Sequence, residues 1–202
     1  MRDQWYGDDR DVVKWGAIVH LARREAISAV IHVAMYRPDP TPEPLSTGFG
    51  NVDTPTEVMR HFRSLDHIER LGAATGLEID LFKQPFTDRA AYFTQVCERV
   101  SARSAPVLVF LDPDVGLAFD IAGPEHVTST DVSKLFTALR RGDMLVCYQH
   151  ARRQKDWRGR ARRAFANAPG MPSFEVEAIS SKQERHVLLL AAKKQTDAAD
   201  PT

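Results

Sequence analysis

Cysteine is scarce in this sequence, which limits the kinds of cross-link and metal site that it can form. Cys97 and Cys147 are the two cysteines in 202 residues, and fifty positions separate them. That spacing fits neither a disulfide framework nor the close ligand pairs of a structural zinc site. We therefore expect two free thiols in apolar surroundings and a reducing, cytoplasmic compartment.

Long apolar runs and an excess of one charge are also missing. No stretch approaches the ~18 consecutive apolar residues of a membrane-spanning helix, and the N-terminus is too polar for a signal peptide. Twenty-seven basic side chains balance twenty-seven acidic ones, so the net charge gives no argument for a nucleic acid or a membrane as partner. The length predicts a single domain over residues 1–194 and a disordered tail over residues 195–202.

Strand-like and helical patterns alternate along most of the chain. Apolar, β-branched runs typical of buried strands occur at 28–36, 77–82, 106–112 and 143–150. Helical patterns occur at 11–26, 55–76, 87–102, 128–142 and 156–168. Residues 37–56, which contain five prolines, are predicted to form a long loop.

The last two strand-like runs, 173–181 and 185–194, follow each other directly and can only form a hairpin. The earlier alternation predicts parallel strands with helices on both faces of the sheet. The expected fold is therefore α/β: a Rossmann-like three-layer sandwich whose mostly parallel sheet includes a C-terminal antiparallel hairpin.

Polar side chains follow the predicted parallel strands where each strand ends. Asp112 and Asp114 flank Pro113 after the most apolar strand, and Gln149 and His150 end the next one. The other two strand ends contribute Arg37, Lys83 and Gln84. Because ligands of open α/β sheets bind at the carboxyl ends of the strands, we expect these side chains to meet at one rim.

Three chemistries could use the Asp-Pro-Asp turn. Asp112 and Asp114 could bind Mg²⁺, since hard cations prefer carboxylate oxygens. They could also supply a nucleophile and an acid, as in haloacid-dehalogenase-like phosphatases. Alternatively, the turn could be the acidic, proline-containing motif that lies between cofactor and substrate in methyltransferases. His150 could act as a general base in any of them.

From "PVLVFLDPD" onward, the order of strands and helices resembles the C-terminal half of class I S-adenosylmethionine-dependent methyltransferases, which ends in the same hairpin. "LDPD" occupies the place of the Asp-Pro-Pro-Tyr type of motif in adenine methyltransferases. Asp114 and Val115 replace the second proline and the aromatic residue of that motif. The first strand lacks the following glycine-rich turn, and one strand–helix unit before "LDPD" is missing.

The N-terminal "YGDDRDVVKWGAIVHLA" resembles a substrate-binding segment of ribosomal RNA adenine methyltransferases, with matches at Gly7, Asp8, Asp11, Val12 and Lys14. The blocks "DQWYGDDRDVVKWG", "FLDPDVGL" and "YQH" also resemble a group of uncharacterised bacterial and phage proteins.

These resemblances imply S-adenosylmethionine as cofactor. Together with the strand-end positions and the basic segment after His150, they assign roles to the candidate residues. Catalysis is assigned to Asp112, Pro113, Asp114 and His150. Cofactor binding is assigned to Arg37, Asp80 and Gln84. Substrate binding is assigned to Gly7, Asp8, Asp11, Lys14, Gln149, Arg152 and Arg153.

Residues 151–165 form a local basic cluster in a chain of zero net charge. "ARRQKDWRGRARRAF" holds seven basic residues and one acid. Lys and Arg neutralise phosphates, and Trp157 offers a stacking surface, so segment 152–163 predicts a nucleic acid or nucleotide as partner. The functions that the sequence leaves open are a methyltransferase, a metal-dependent phosphohydrolase or nuclease using Mg²⁺ at Asp112 and Asp114, and a non-catalytic nucleic-acid-binding module.

Overall fold

The structure is a computed structural model that describes residues 2–3, 6–38, 45–48, 50–53, 55, 58 and 64–195. The predicted tail lies outside these residues apart from Gln195, and so does part of the predicted loop 37–56. Within the described ranges, no helix is long and apolar enough to cross a membrane.

The described strands form one large sheet and two small ones. In chain order they are β1 (Ala29–Val33), β2 (Leu45–Thr47), β3 (Gly50–Val52), β4 (Glu78–Phe82), β5 (Val107–Leu111), β6 (Gly116–Leu117), β7 (His126–Val127), β8 (Met144–His150), β9 (Glu177–Ser180) and β10 (Val187–Lys193). The main sheet has six strands in the order β4-β1-β5-β8-β10-β9. Its first four strands are parallel, while β10 is antiparallel to both β8 and β9. The predicted fold class, a mostly parallel sheet with a C-terminal antiparallel hairpin, is confirmed.

The predicted loop 37–56 contains a short antiparallel pair of strands, β2 and β3, that the sequence pattern did not indicate. Gly50, which opens β3, has a φ of 117°, a conformation that a residue with a side chain rarely adopts. The other small pair, β6 and β7, is parallel and lies in the stretch that follows the acidic turn.

Five described helices cover the two faces of the main sheet: α1 (Asp9–Arg24), α2 (Ile68–Thr75), α3 (Arg89–Ser101), α4 (Ser129–Ala138) and α5 (Trp157–Asn167). Apolar residues of α1 and α2 pack on one face, and those of α3, α4 and α5 pack on the other. The result is the predicted three-layer arrangement.

The helix predicted over 55–76 is interrupted. Ser64 is extended, with φ −138° and ψ 112°, and Leu65–His67 form a 3₁₀ turn. Helix α2 begins only at Ile68.

Two further helix boundaries differ from the predictions for local reasons. Helix α1 begins two residues earlier than expected because the Asp8 carboxylate accepts hydrogen bonds from the N–H groups of Arg10 and Asp11, both at 3.0 Å. Asp11 therefore lies in the first turn. Helix α4 ends at Ala138 rather than near Gly142, because Leu139 is already extended, with a ψ of 142°.

Alternation along the buried strands decides which side chains face which helices. In β1, Val30 faces the α1 side, whereas Ile31 and Val33 face the α3–α5 side. The same alternation in β5 directs Leu108 and Phe110 towards α1. Successive side chains of a strand point to opposite faces, so His32, Phe110 and Asp112 share the α1 side of the sheet.

Asp143 fastens the amino ends of β5 and β8. Its side chain is fully buried. One carboxylate oxygen accepts a hydrogen bond from Val107 N–H at 2.9 Å, and the other accepts one from Arg140 N–H at 2.7 Å. Two backbone donors, one buried and one partly buried, thus depend on one carboxylate.

We predict that Asp143→Ala lowers the free energy of unfolding by about 2–4 kcal/mol, because it leaves these donors without their partner. Urea unfolding followed by circular dichroism measures the effect. Asp156→Ala is the matched control, because Asp156 pairs with Arg163 through side chains that are 67% and 56% exposed, and an exposed ion pair contributes at most about 1 kcal/mol. Equal losses in the two variants would contradict this role of Asp143.

Candidate functional site

A buried ion pair joins α1 to the carboxyl end of β5. The Lys14 Nζ atom lies 3.0 Å from Oδ1 and 3.2 Å from Oδ2 of Asp112, although the two residues are 98 positions apart. Their side chains are 7% and 1% exposed. Helix α1 therefore positions a cation directly on the first carboxylate of the Asp-Pro-Asp turn.

His32, in the middle of β1, is a second partner of Asp112. Its Nε2 atom lies 3.1 Å from Asp112 Oδ2. The imidazole ring stacks on Phe110 with a centroid distance of 5.2 Å and meets the Trp15 ring edge-on, also at 5.2 Å. Because an ionised carboxylate only accepts hydrogen bonds, Nε2 must carry the proton. The buried Nδ1 atom finds no hydrogen-bond partner among the described residues.

Lys14 is shared between two carboxylates. Asp11 Oδ1 lies 2.6 Å from Lys14 Nζ, and Asp11 Oδ2 accepts a hydrogen bond from Gly7 N–H at 2.8 Å. The loop before α1 is thus tied to the same polar cluster. One ammonium and two carboxylates leave the cluster with an excess of negative charge unless a proton or another cation is present.

The pKa values in this cluster shift in the directions that its geometry requires. Burial alone would raise the pKa of the Asp112 carboxyl, but the Lys14 charge and the His32 hydrogen bond hold it well below its usual range. Burial alone would lower the pKa of Lys14, but the two carboxylates raise it. Burial and the nearby Asp112 charge raise the pKa of Asp11. Asp112 is therefore an ionised, fully paired group at neutral pH.

Asp114, the second carboxylate of the turn, lies in a different environment. It forms an ion pair with Arg37, which follows β1, and Glu125 lies 3.9 Å from the same guanidinium. The side chains of Arg37 and Asp114 are 24% and 15% exposed. Burial alone would raise the pKa of Asp114, but the cationic groups around it, Arg37 among them, lower it. This ion pair is the part of the turn that a ligand could reach.

Gln149 holds the end of the same turn from the opposite face of the sheet. Its Oε1 atom accepts a hydrogen bond from Leu117 N–H at 2.9 Å, and its Nε2 atom donates to Val115 O at 3.2 Å. Gly116 has a φ of 112°, and a Cβ atom there would lie 2.6 Å from the Gln149 amide. Gln149 is fully buried, and its amide group holds the backbone of the turn at Val115 and Leu117.

His150, at the end of β8, belongs to the α1 side. Its Nδ1 atom lies 3.0 Å from the Tyr148 hydroxyl, and its ring stacks on His186 at 5.9 Å. Burial, helped by the nearby Arg10 and His186, lowers the pKa of His150. Burial raises the pKa of Tyr148 to about 12. His150 is therefore neutral at pH 7 and can accept a proton.

The structure brings together some of the predicted site residues and separates others. Asp80 pairs with Arg99 at 2.7 Å and Arg103 at 2.6 Å, on the α3 side of β4. Gln84 and Arg153 are exposed. Arg152 donates to Leu117 O at 3.1 Å, next to the acidic turn. Ligand-binding roles for these residues, and catalytic roles for the turn, stay predictions.

Two residues that contact the cluster were not predicted from the sequence: His32, and Tyr148, whose ring centroid lies 5.0 Å from Lys14 Nζ. His32 is the one polar residue of "AVIHV", a strand whose five residues are all buried. A polar residue inside such a run predicts a buried hydrogen-bonding partner, because a buried polar group needs one. Tyr148 carries no comparable signal, since tyrosine is common in buried strands.

Metal binding has little support in this geometry. Within the part of the chain that the structure describes, no group of three or more His, Cys, Asp or Glu side chains clusters tightly enough to hold a metal ion. Lys14 and His32 also occupy both oxygens of Asp112. The second carboxylate, Asp114, forms its ion pair with Arg37, so the two carboxylates of the turn have separate cationic partners.

No protein-family model and no curated protein sequence matches this chain. Among solved structures, it is similar to a DUF574 family protein from Streptomyces avermitilis. The alignment covers 92% of this chain and 82% of that chain, with 12% sequence identity and a TM-score of 0.41. A similarity of this degree leaves the function to be argued from the site itself.

We predict that Lys14→Met lowers the free energy of unfolding at pH 7 by about 3–5 kcal/mol, because it leaves a buried carboxylate without its cation. In the variant, burial raises the pKa of Asp112 in the folded state above its unfolded value. The variant must therefore gain stability as the pH falls from 7 towards 4. In the wild type the pKa of Asp112 is lowered instead. The stabilisation that the ionised Asp112 carboxylate gives the folded state therefore persists from pH 7 to pH 4.

Urea unfolding at several pH values measures this difference. Arg24→Met is the control, because Arg24 pairs with Glu177 through side chains that are 40% and 42% exposed, and its loss is expected to cost less than about 1 kcal/mol. A stability loss in Lys14→Met that does not shrink as the pH falls would show that Asp112 is not the group left unpaired.

Proposed function

We propose that this protein is an S-adenosylmethionine-dependent methyltransferase-like protein that acts on a nucleic acid or nucleotide. The observation that carries the proposal is the strand order of the sheet. Four parallel strands are followed by β10, which runs antiparallel beside β8, as in the hairpin that ends class I methyltransferases. The acidic turn after β5 then lies at the carboxyl edge, where ligands of such sheets bind.

The residues after β1 fit this cofactor in charge and backbone shape. They include no glycine between Ala34 and Arg37, but Met35 has a φ of 44°. That left-handed conformation is one that glycine adopts most easily, and a non-glycine residue held there is often found at a functional site. S-adenosylmethionine carries an α-carboxylate and an α-amino group. Arg37 and Asp114, which pair with each other in the structure, would exchange that ion pair for these two groups of opposite charge.

Each residue would then have a separate task. When bound, S-adenosylmethionine supplies an activated methyl group. Arg37 and Asp114 would bind its amino-acid part, and neutral His150 would accept the proton that the acceptor loses. The backbone N–H of His150 donates to Val115 O at 2.9 Å. This base therefore lies beside the residue that follows Asp114. Asp112 acts as a positioning residue, because it anchors the turn to α1 without reaching the surface.

The same contacts favour methyl transfer over the metal-dependent hydrolase. A hydrolase would need Asp112 and Asp114 to share one Mg²⁺ ion. Asp112 is enclosed by Lys14 and His32, whereas Asp114 faces Arg37. A cation between the two carboxylates would have to displace both sets of partners.

We predict saturable binding of S-adenosylmethionine to the wild-type protein in titration calorimetry and binding at least about 10-fold weaker in Arg37→Ala. The loss of one charge-assisted hydrogen bond, about 1.5–3 kcal/mol, corresponds to that factor or more. Arg24→Ala is the matched control, because Arg24 forms an exposed ion pair with Glu177 from the last turn of α1 and has no proposed role in cofactor binding.

Other results would replace the proposal. Absence of cofactor binding in the wild type overturns it. Saturable Mg²⁺ binding with cleavage of an oligonucleotide, lost in Asp114→Ala, would instead establish the hydrolase. Oligonucleotide binding without either activity would establish the non-catalytic module.

A further inference from the structure

A groove with two lobes runs between the start of α4 and the exposed side of α5. The first lobe has a volume of about 340 Å³ and the second about 570 Å³, sizes within the ~300–1,000 Å³ range of ligand sites. Ser129 and Asn167 line both lobes, so the two form one continuous depression. This groove lies on the opposite face of the sheet from the cluster of Lys14 and Asp112.

The groove is lined by positive charge. Arg160 and Arg163 line the first lobe and Lys134 lines the second, while no carboxylate is among the described lining residues of either. Arg163 forms an ion pair with Asp156, which lies outside the groove, with a distance of 2.8 Å between the guanidinium nitrogen and the carboxylate oxygen. Arg160 and Lys134 form their hydrogen bonds with the neutral partners Gln154, Ala90 and Thr94. Each lobe thus contains a cation without a carboxylate partner among the described residues.

Neutral hydrogen-bonding groups and an aromatic ring complete the groove. The hydroxyl groups of Ser129 and Thr130 lie in its wall, and such groups commonly contact the phosphate and sugar of nucleic acids. Phe119 lines the first lobe, and the guanidinium groups of Arg152 and Arg160 lie 5.4 Å and 5.2 Å from its ring centroid, so a base would displace one of them or stack on it. An aromatic ring beside cations is the combination by which proteins bind unpaired strands, since bases stack on the ring.

We propose that this groove binds the sugar–phosphate backbone of a single-stranded nucleic acid. One phosphate would lie in each lobe, against Arg160 and Lys134, and a base would lie against Phe119. A duplex keeps its bases stacked on each other and cannot use the ring in this way. The inference rests on the proposed function and deepens it, because it names the surface that holds the acceptor strand.

The test is fluorescence anisotropy with a labelled single-stranded 12-mer and no cofactor, over a series of salt concentrations. We predict that Arg160→Gln and Lys134→Gln each weaken binding several-fold and each reduce the slope of log K against log salt by about 0.7, the value for one phosphate contact on a single strand. Asn167→Asp, which adds a carboxylate where the lobes meet with almost no change of shape, must also weaken binding.

Arg158→Gln is the matched control, because Arg158 is exposed on the same helix but does not line the groove. It removes the same charge and must leave the affinity and the salt slope close to those of the wild type. Circular dichroism verifies that each variant is folded.

Three results would overturn the inference: variants in the groove that bind like the wild type, an equal loss in Arg158→Gln, or equal competition by inorganic phosphate, a mononucleotide or the matching duplex. Because the cofactor is absent, the assay is separate from the calorimetry. A protein that binds S-adenosylmethionine but no strand overturns this inference alone. One that binds the strand through the groove but no cofactor overturns the proposed methyltransferase and leaves the groove in place.

Discussion

The ion pair between Lys14 and Asp112 is the contact on which the organisation of the carboxyl edge depends. Burying two charges is costly, and their attraction compensates only when further hydrogen bonds satisfy the remaining polar atoms. Asp112 meets this condition through His32, and Lys14 meets it through Asp11. Removing Lys14 would leave the buried Asp112 carboxylate without its cation. Helix α1 is therefore fixed across the sheet by electrostatics as well as by its apolar face.

This arrangement gives the two carboxylates of the turn different properties. Pro113 fixes its own φ and donates no hydrogen bond, which stiffens the link between its neighbours. Asp112 on one side of it is enclosed, while Asp114 on the other remains partly exposed beside Arg37. An apolar strand can thus run directly into two carboxylates because one completes the core and the other reaches the surface. The buried Asp112 thus fixes the position of Asp114.

The sequence was sufficient to predict the fold class but not the contacts of the site. Continuous apolar runs identified β1, β5 and β8, and the two consecutive runs at the end identified the hairpin. The contact between Lys14 and Asp112 joins residues 98 positions apart, which no local pattern encodes. The separation of Gln149 from His150 could have been predicted, because neighbouring residues of a strand point to opposite faces. The same rule could have predicted that Asp80 faces the α3 side, whereas Ile79 and Leu81 beside it in β4 face the α1 side.

The two faces of the sheet leave different routes to the acidic turn. On the α1 side, Trp15, His32 and Phe110 pack closely under Asp112. On the other side, the Leu117 N–H donates a hydrogen bond to Gln149 and its carbonyl oxygen accepts one from Arg152. The Arg152 guanidinium lies 5.4 Å from the Phe119 ring centroid. The segment from Asp114 to Phe119 therefore connects the acidic turn directly to the groove. A ligand held against Phe119 would lie five residues from Asp114 along the chain, on the face of the sheet that α4 and α5 cover. His150 lies on the α1 side of the sheet, so a strand bound in the groove would have to cross the carboxyl edge to bring its acceptor atom to this base.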